Sequence, residues 1–351
     1  MASFERDLFH GIDFASRSGR FIMSTMRSDP THRQSRSEPL DALRGLAISL
    51  VIACHYVGFT FGLVGVDLFF VLSGFLIGGI LLDSREQPGY FSSFYGRRAF
   101  RILPLYWLLL LIAPPAHWGY YLFFAQAVPW LQFGYPLHEP TFVTWSLAIE
   151  EQFYLILPAL IYWLPRRWLI PVLWSGVLLA PVWRWLFDAY LPDLSWEYLL
   201  PGRLDGLFGG VLLAAFLRGY CRSRITWAML ACLPPLCDIA YFVVAGPFAY
   251  FLSVTALICS AAVWSGAVTQ RPIMLRPLIW MGRRCYALYL FHLLVYNMFV
   301  GLGGQFTALI ALPIVCIAAE ISWRTIEAPL IGYAKRRFAR AESSLQGIVA
   351  V

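Results

Sequence analysis

The chain has 351 residues, of which 59% are hydrophobic and only 13% are charged, and its mean hydropathy is +0.65. Too few polar side chains are available to cover the surface of a soluble domain, so a soluble globular protein is excluded. The net charge of +7 would suggest nucleic acid as the partner of a soluble protein. In a membrane protein, arginines kept on the cytoplasmic side account for the same charge, and we expect no nucleic-acid partner.

A polar segment precedes the first apolar stretch. Residues 1–38 are rich in arginine and serine and lack the apolar core of a signal peptide. They are expected to form a disordered cytoplasmic tail, and a start codon placed too far upstream is the alternative. The membrane domain is expected over 39–335, followed by a cytoplasmic C-terminal tail over 336–351.

A membrane-spanning helix needs about 20 mainly apolar residues, and this criterion predicts ten spans in chain order. They are 43–62, 65–83, 99–113, 144–164, 169–188, 197–217, 225–244, 247–268, 284–300 and 305–324. The third span is short, and 120–130 is predicted to be a re-entrant or interfacial helix. The total therefore depends on how this segment is assigned.

Basic residues alternate with neutral or acidic ones in the gaps between these stretches. The basic gaps contain 97–101, 166–167, 218–224, 271–284 and 335–340, and the gaps between them lack this excess. Basic residues beside helix ends stay on the cytoplasmic side of a membrane. The predicted fold is therefore an all-α polytopic membrane helical bundle of about 10 transmembrane helices, with both termini in the cytoplasm.

Missing motifs disfavour several kinds of chemistry. Seven cysteines lie mostly in apolar runs and none forms a C-x-x-C pair, so neither a metal site nor a disulfide is expected. The chain lacks G-x-x-x-x-G-K-[ST], which disfavours an ATP-driven pump. Ser73 lies in VLSG rather than in G-x-S-x-G, which disfavours a serine hydrolase.

Ionisable side chains within the apolar stretches are candidate functional residues. Each costs roughly 2.5–3.5 kcal/mol on insertion scales, so those present usually face a cavity or one another. They are Arg44, His55, Asp67, Glu150, Glu151, Arg184, Arg203, Asp205, His292 and Glu320.

His55 is the candidate general base in this set. It follows Arg44 by eleven residues, so both lie on one face of the first span, roughly 16 Å apart. Its expected depth nearly equals that of Glu150 and Glu151 on the fourth span. A carboxylate beside a histidine orients the ring and stabilises the imidazolium formed on proton transfer. The alternative is that these groups only satisfy helix contacts.

Arg97, Arg98 and Arg101 form a second cluster, in the cytoplasmic loop and at the start of the third span. Arg98 and Arg101 are three residues apart and share a helix face. Guanidinium groups form paired hydrogen bonds to phosphate oxygens, so the cluster is a candidate site for a phosphorylated cofactor. Ordinary topogenic charge is the alternative.

Three further residues have two interpretations each. His292 lies mid-span among aromatic residues and is either a structural histidine or a second cavity residue. Arg203 and Asp205 are expected to neutralise other charges within the membrane, and contact with substrate is the alternative.

Six segments form an ordered set of motifs over roughly 40–330. LDALRG at 40–45 is followed by GVDLFFVLSGFLI at 65–77, FYGRRAFRILP at 94–104, WSLAIEEQFY at 145–154, CYALYLFH at 285–292 and IEAPL at 326–330. With the spacing from Arg44 to His55, this set resembles the acyltransferase-3 family of membrane O-acyltransferases. Cys285 stands where that family usually has serine.

The resemblance implies a ten-helix enzyme that takes an acyl group, most often acetyl, from acyl-CoA at the cytoplasmic face. It implies transfer to a hydroxyl, usually on a sugar of a cell-surface glycan, a lipid-linked saccharide or a glycosylated small molecule. Acyl-CoA is then a co-substrate, with no bound cofactor. The implied location is the bacterial cytoplasmic (inner) membrane, with glycan-assembly proteins as partners.

The resemblance also implies residue roles. His55 is the catalytic residue with Arg44 as its motif partner, and Arg98 and Arg101 bind the donor. We then expect the donor phosphates to lie against these arginines and Arg97, with the thioester near His55.

Carboxylates complete the expected site. Glu150 is expected to orient His55 or bind the sugar, and Glu151 or Asp67 are less direct candidates for the same role. Some relatives carry a C-terminal SGNH hydrolase-like domain, and this chain is expected to need another protein for any delivery beyond the membrane.

Two other functional classes stay open. A transporter or flippase for a lipid-linked or small saccharide also needs buried charges along a cavity. A catalytically silent partner of a glycan-assembly complex is the third possibility. Release of CoA that depends on an acceptor would distinguish an enzyme from a carrier.

Overall fold

The computed structural model describes residues 38–137, 139–191, 195–220 and 275–349, together with a short helical stretch within 255–265. The predicted tail up to residue 37, the predicted span 225–244 and most of 247–268 lie outside the described residues. Within the described ranges the secondary structure is helical and contains no strand. The predicted all-α fold is confirmed for this part of the chain.

Helices α1 to α8 precede the large gap and α9 to α12 follow it. In order, α1 to α8 are Glu38–Val57, Val64–Ser84, Tyr90–Ile112, Trp118–Leu122, Ala127–Phe133, Thr144–Trp163, Arg166–Tyr190 and Leu204–Leu217. The last four are Arg276–Arg283, Cys285–Phe299, Gly304–Ser322 and Ala328–Val349.

Six stretches of the described residues are long and apolar enough to cross a membrane. They are Glu38–Val57, Thr60–Ser84, Arg166–Tyr190, Leu200–Leu217, Cys285–Leu302 and Gly304–Ala339. Each corresponds to one predicted span. Helix α6 matches the predicted span 144–164 to within one residue, and α3 contains most of the predicted span 99–113 but begins earlier. The total of ten spans and the cytoplasmic position of the termini stay predictions.

Two helices are longer than predicted. Helix α3 begins at Tyr90, because the arginine-rich segment before residue 99 continues the helix instead of forming a loop. The segment 336–349, which we expected to be a tail, belongs to α12, which follows a π-helical turn at Trp323–Glu327. Arginine, lysine and alanine are good helix formers, so these helices extend beyond their apolar stretches.

Helices α2 and α8 pack in parallel at very short range. A Cβ on Gly74 would collide with the backbone of α8, and small residues of this kind allow close approach of membrane helices. Asp67 near the start of α2 pairs with Arg203 just before α8. Asp83 at the end of α2 pairs with Arg218 just after α8, so an ion pair closes each end of this helix pair.

Glycines also bring α1 close to α9 and α10. A Cβ on Gly45 of α1 or on Gly282 of α9 would collide with the backbone of the other helix. Helix α10 follows directly and lies against the end of α1, where the Tyr56 hydroxyl donates a hydrogen bond of 2.9 Å to the His292 carbonyl oxygen. The last turn of α1 is thereby held beside the middle of α10.

Candidate active site

His55 lies in the last turn of α1 and is partly exposed. Its Nδ1 is 2.9 Å from the carbonyl oxygen of Val51. A carbonyl oxygen only accepts hydrogen bonds, so we assign the proton of the neutral ring to Nδ1 and a free lone pair to Nε2. Nε2 makes no hydrogen bond within the described part of the chain. This nitrogen is therefore able to accept a proton.

His292 is the side chain that the structure brings to His55. It is 0% exposed, and its Nδ1 is 2.7 Å from the Tyr289 carbonyl oxygen, which places its proton on Nδ1 by the same reasoning. Its Nε2 lies 3.3 Å from Nδ1 of His55, and the ring centroids are 5.0 Å apart. The two imidazoles form a pair in which His292 is the acceptor.

Glu150 does not contact His55, so of its two expected roles only binding of the sugar stays a prediction. Its carboxylate accepts a hydrogen bond of 2.5 Å from Ser73 on α2 and one of 3.3 Å from Tyr154. No hydrogen bond or ion pair joins it to His55 in the described ranges. The expected depths of the two residues were nearly equal, but the side of α6 that carries Glu150 faces α2 instead of α1.

Arg98 faces α6, and its side chain is 17% exposed. Its guanidinium nitrogen is 3.8 Å from Glu151 Oε1, and its Cζ is 3.9 Å from the centre of the Tyr154 ring. Nε of Arg98 is buried and has no hydrogen-bond partner in the described part of the chain. Arg97 and Arg101 are partly exposed on the same helix. In the cluster predicted to hold phosphates, Arg98 therefore already interacts with a carboxylate.

Ser146 and Tyr289 connect these two regions. Their hydroxyl oxygens are 2.6 Å apart. The Tyr289 hydroxyl donates to the Val143 carbonyl oxygen at 3.0 Å, so Ser146 donates to Tyr289. The Tyr289 ring centroid is 5.7 Å from that of His292, and Ser146 lies one helical turn before Glu150. Polar side chains thus follow one another from His55 to Arg98, and we call this series the polar column. Its members are His55, His292, Tyr289, Ser146, Glu150, Ser73, Tyr154 and Arg98.

Four members of the polar column were not predicted from the sequence. They are Ser73, Ser146, Tyr154 and Tyr289, all uncharged and therefore absent from a search for ionisable residues. Each lies in one of the motif segments described above, and this position was the feature of the sequence that could have identified them as site residues.

Arg44 lies near the start of α1 and is paired with an aspartate that we did not predict. Its guanidinium is 3.0 Å from the carboxylate of Asp41, whose side chain is fully buried. Arg283 also approaches Asp41, at 3.4 Å. The motif partner of His55 is thus held at the opposite end of α1 from the histidine.

The charged residues near the start of α8 form two ion pairs. Asp67 and Arg203 are 3.0 Å apart, and Arg184 of α7 pairs with Asp205. The Arg203 guanidinium also lies 5.5 Å from the centre of the Trp145 ring. These four charges compensate one another and join α2, α7 and α8.

No group of three or more His, Cys, Asp or Glu side chains is arranged to hold a metal ion among the described residues. The polar column offers histidine for proton transfer, arginine for recognition of anions, and the hydroxyl groups of serine and tyrosine.

Comparison with known proteins identifies the family. The family model described as "Acyltransferase domain" matches residues 38–323. The peptidoglycan O-acetyltransferase OatA of Listeria monocytogenes is 29% identical over an alignment of 358 residues, covering 86% of this chain and 57% of that protein. The O-acetyltransferase OatA of Staphylococcus aureus is 28% identical over 346 residues, covering 83% and 56%.

The chain therefore spans somewhat more than half the length of these relatives. No solved structure matches it. The family match covers most of the described helices and both histidines of the site. The chain belongs to the acyltransferase-3 family and contains that family's acyltransferase domain.

Proposed function

We propose that this protein is a membrane O-acyltransferase that transfers an acyl group, most often acetyl, from acyl-CoA to a saccharide hydroxyl of the bacterial cell envelope. The observation that carries the proposal is the state of His55. Its Nδ1 is 2.9 Å from the Val51 carbonyl oxygen, which assigns the proton to Nδ1 and leaves Nε2 open, in a chain that contains an acyltransferase domain.

The reaction uses Nε2 of His55 as a general base. Nε2 takes the proton of the acceptor hydroxyl as that oxygen attacks the thioester carbonyl carbon. The tetrahedral intermediate collapses, the carbon–sulfur bond breaks, and the sulfur of CoA leaves with the electron pair. The imidazolium then returns its proton to that thiolate. An ester and free CoA are formed, and His55 regains its starting state.

The donor binds at the Arg98 end of the polar column. CoA carries several phosphate charges, and Arg97, Arg98 and Arg101 are all partly exposed. The Arg98 side chain is 17% exposed and its ion pair with Glu151 is 3.8 Å long, which supports an additional contact of its guanidinium with a phosphate. By the positive-inside rule, this end of the column faces the cytoplasm, where acyl-CoA is found.

The acceptor approaches from the other side of the membrane. His55 lies at the end of α1 opposite to Arg44, so the same orientation places it toward the outer leaflet of the cytoplasmic membrane. One relative is named as acting on peptidoglycan, which supports an envelope saccharide as the acceptor. Glycan-assembly proteins that present this saccharide are the proposed partners.

Membranes of the native host contain the natural acceptor and allow a direct test. A strain with the gene deleted is complemented with either the wild-type protein or the His55→Ala variant. Its membranes are supplied with radiolabelled acetyl-CoA, and label in alkali-labile esters and free CoA are measured. We expect His55→Ala to lower the rate by about 10²- to 10⁴-fold, the usual contribution of a general base.

His117→Ala is the matched control, because His117 is an exposed histidine outside the polar column. Its rate should equal that of the wild type. Immunoblots of the membranes show whether each variant is inserted. Full acetylation by an inserted His55→Ala variant would reject the proposed mechanism.

A further inference from the structure

We infer that His292 is a positioning residue for His55. The buried imidazole of His292 accepts a hydrogen bond from the Nδ1–H of His55, which the Val51 carbonyl oxygen also accepts, and it thereby keeps Nε2 of His55 free for the acceptor hydroxyl. This inference rests on the proposed function, because it concerns how the candidate base is held.

Hydrogen-bond geometry allows only one arrangement of the two rings. Nδ1 of His292 donates to the Tyr289 carbonyl oxygen at 2.7 Å, so Nε2 of the neutral ring has a lone pair. That lone pair is 3.3 Å from Nδ1 of His55. If His55 had its proton on Nε2, two acceptors would face its Nδ1, the Val51 oxygen and the His292 nitrogen. The lone pair of His55 Nδ1 would then face a lone pair of the Val51 oxygen and one of the His292 nitrogen, and both contacts would be repulsive.

Packing prevents His292 from leaving this arrangement. Its side chain is 0% exposed, and its backbone carbonyl accepts the hydrogen bond from Tyr56, the residue that follows His55. One contact therefore connects the Tyr56 side chain to the backbone of α10, and the other connects the side chains of the two histidines. Together they fix the His55 ring in the last turn of α1, where a helix end would otherwise fray.

Proton transfer strengthens this contact without changing His292. When Nε2 of His55 accepts the proton of the hydroxyl, the ring becomes an imidazolium and Nδ1–H becomes a charge-assisted donor to His292. When Nε2 gives the proton to the departing thiolate, the contact returns to its neutral form. His292 keeps its own Nδ1 proton throughout, so the steps balance at His55 alone.

A neutral acceptor suits this location better than a carboxylate. An uncompensated anion within a membrane is costly, and the nearby carboxylates are engaged elsewhere. Glu150 accepts hydrogen bonds from Ser73 and Tyr154, and Asp67 is paired with Arg203. An imidazole with its other nitrogen protonated offers one lone pair and no charge.

Three substitutions separate positioning from packing. In His292→Gln the amide oxygen reaches the position of Nε2 and can still accept from His55. His292→Asn can replace only the Nδ1 contact with Tyr289, because its side chain is one carbon shorter. His292→Leu fills the space but accepts nothing. A purely structural role would predict that Gln and Asn behave alike.

The test measures kcat and KM for acetyl-CoA in membranes of the complemented native host, normalised to inserted protein. We expect His292→Asn and His292→Leu to lower kcat by about 10- to 100-fold, the usual effect of losing a group that orients a functional histidine. KM for acetyl-CoA should change by less than about 2-fold, because His292 does not bind the donor. His292→Gln should stay within about 5-fold of the wild-type kcat.

Each outcome decides between the two assignments. If His55→Ala is inactive and inserted while His292→Asn keeps the wild-type kcat, the positioning role is rejected and the role of His55 stands. Equal losses in Gln and Asn variants that insert normally also reject it, because the acceptor would not matter. If His55→Ala itself is active, the proposed function fails first. Should the Leu variant not insert, the Gln and Asn pair still decides the question.

Discussion

The two ion pairs between α2 and α8 allow a prediction about burial. Asp67 and Arg203 are 3.0 Å apart with side chains 12% and 9% exposed. Asp83 and Arg218 are closer, at 2.6 Å, but 55% and 30% exposed. If distance decided the contribution to stability, the Asp83 pair would be the stronger one. If burial decides, removal of one partner should destabilise the protein more in the Asp67 pair than in the Asp83 pair.

The expected magnitudes follow from the environment of each pair. At 3.0 Å and an effective dielectric constant of about 20, two unit charges attract by roughly 5.5 kcal/mol. Much of this offsets the cost of removing the ions from water, but removal of one partner leaves the other buried and uncompensated. We therefore expect Asp67→Asn to lower the free energy of unfolding by about 3–5 kcal/mol. Asp83→Asn should cost only about 0–1 kcal/mol.

The measurement is SDS-induced unfolding of the purified protein in bicelles, followed by tryptophan fluorescence. A third variant, Asp67→Asn with Arg203→Met, removes both buried charges. It should be more stable than Asp67→Asn alone, because no uncompensated cation remains. Two results would contradict this prediction. One is that Asp83→Asn destabilises the protein as much as Asp67→Asn does, and the other is that the double variant is less stable than Asp67→Asn alone.

Two further predictions concern helix packing and the donor. Gly74→Ala should destabilise the protein by about 1–3 kcal/mol, because the new Cβ would collide with α8 in a tightly packed region. Gly119→Ala is the control in the same unfolding assay. It should be tolerated, because nothing lies within 4 Å of the added Cβ. Arg98→Ala should raise KM for acetyl-CoA, whereas Arg166→Ala, at an exposed ion pair, should not. An unchanged KM in Arg98→Ala would remove Arg98 from the donor site.

Helix positions were largely predictable because apolar length is a local property. The predicted span 144–164 and the observed helix Thr144–Trp163 differ by one residue at the end. Helix α3 was predicted nine residues too late at its start, because apolar counting stops at the first arginine whereas the backbone does not. Membrane thickness limits where apolar residues end, but helix propensity and capping determine where the helix itself begins.

The partner of His55 was less predictable because it depends on how helices face one another. Depth along a span follows from a constant rise of about 1.5 Å per residue, and on this basis Glu150 was expected near His55. Rotation about the helix axis and the choice of neighbour depend on tertiary packing. Gly45 and Gly282 bring α9 and then α10 against α1, and this contact delivers His292 to His55 across 237 positions of sequence.

Charge compensation explains why the partner is a histidine. Asp67, Glu151 and Asp205 are among the acidic groups of the described bundle that have arginine partners, because a lone carboxylate is expensive in lipid. An acid already paired in this way is a poor acceptor for a second proton donor, since its lone pairs and its charge are in use. The remaining candidates are neutral groups with one fixed lone pair. His292 satisfies this condition, so electrostatic cost is a better guide than equal depth to the partner of a base within a membrane.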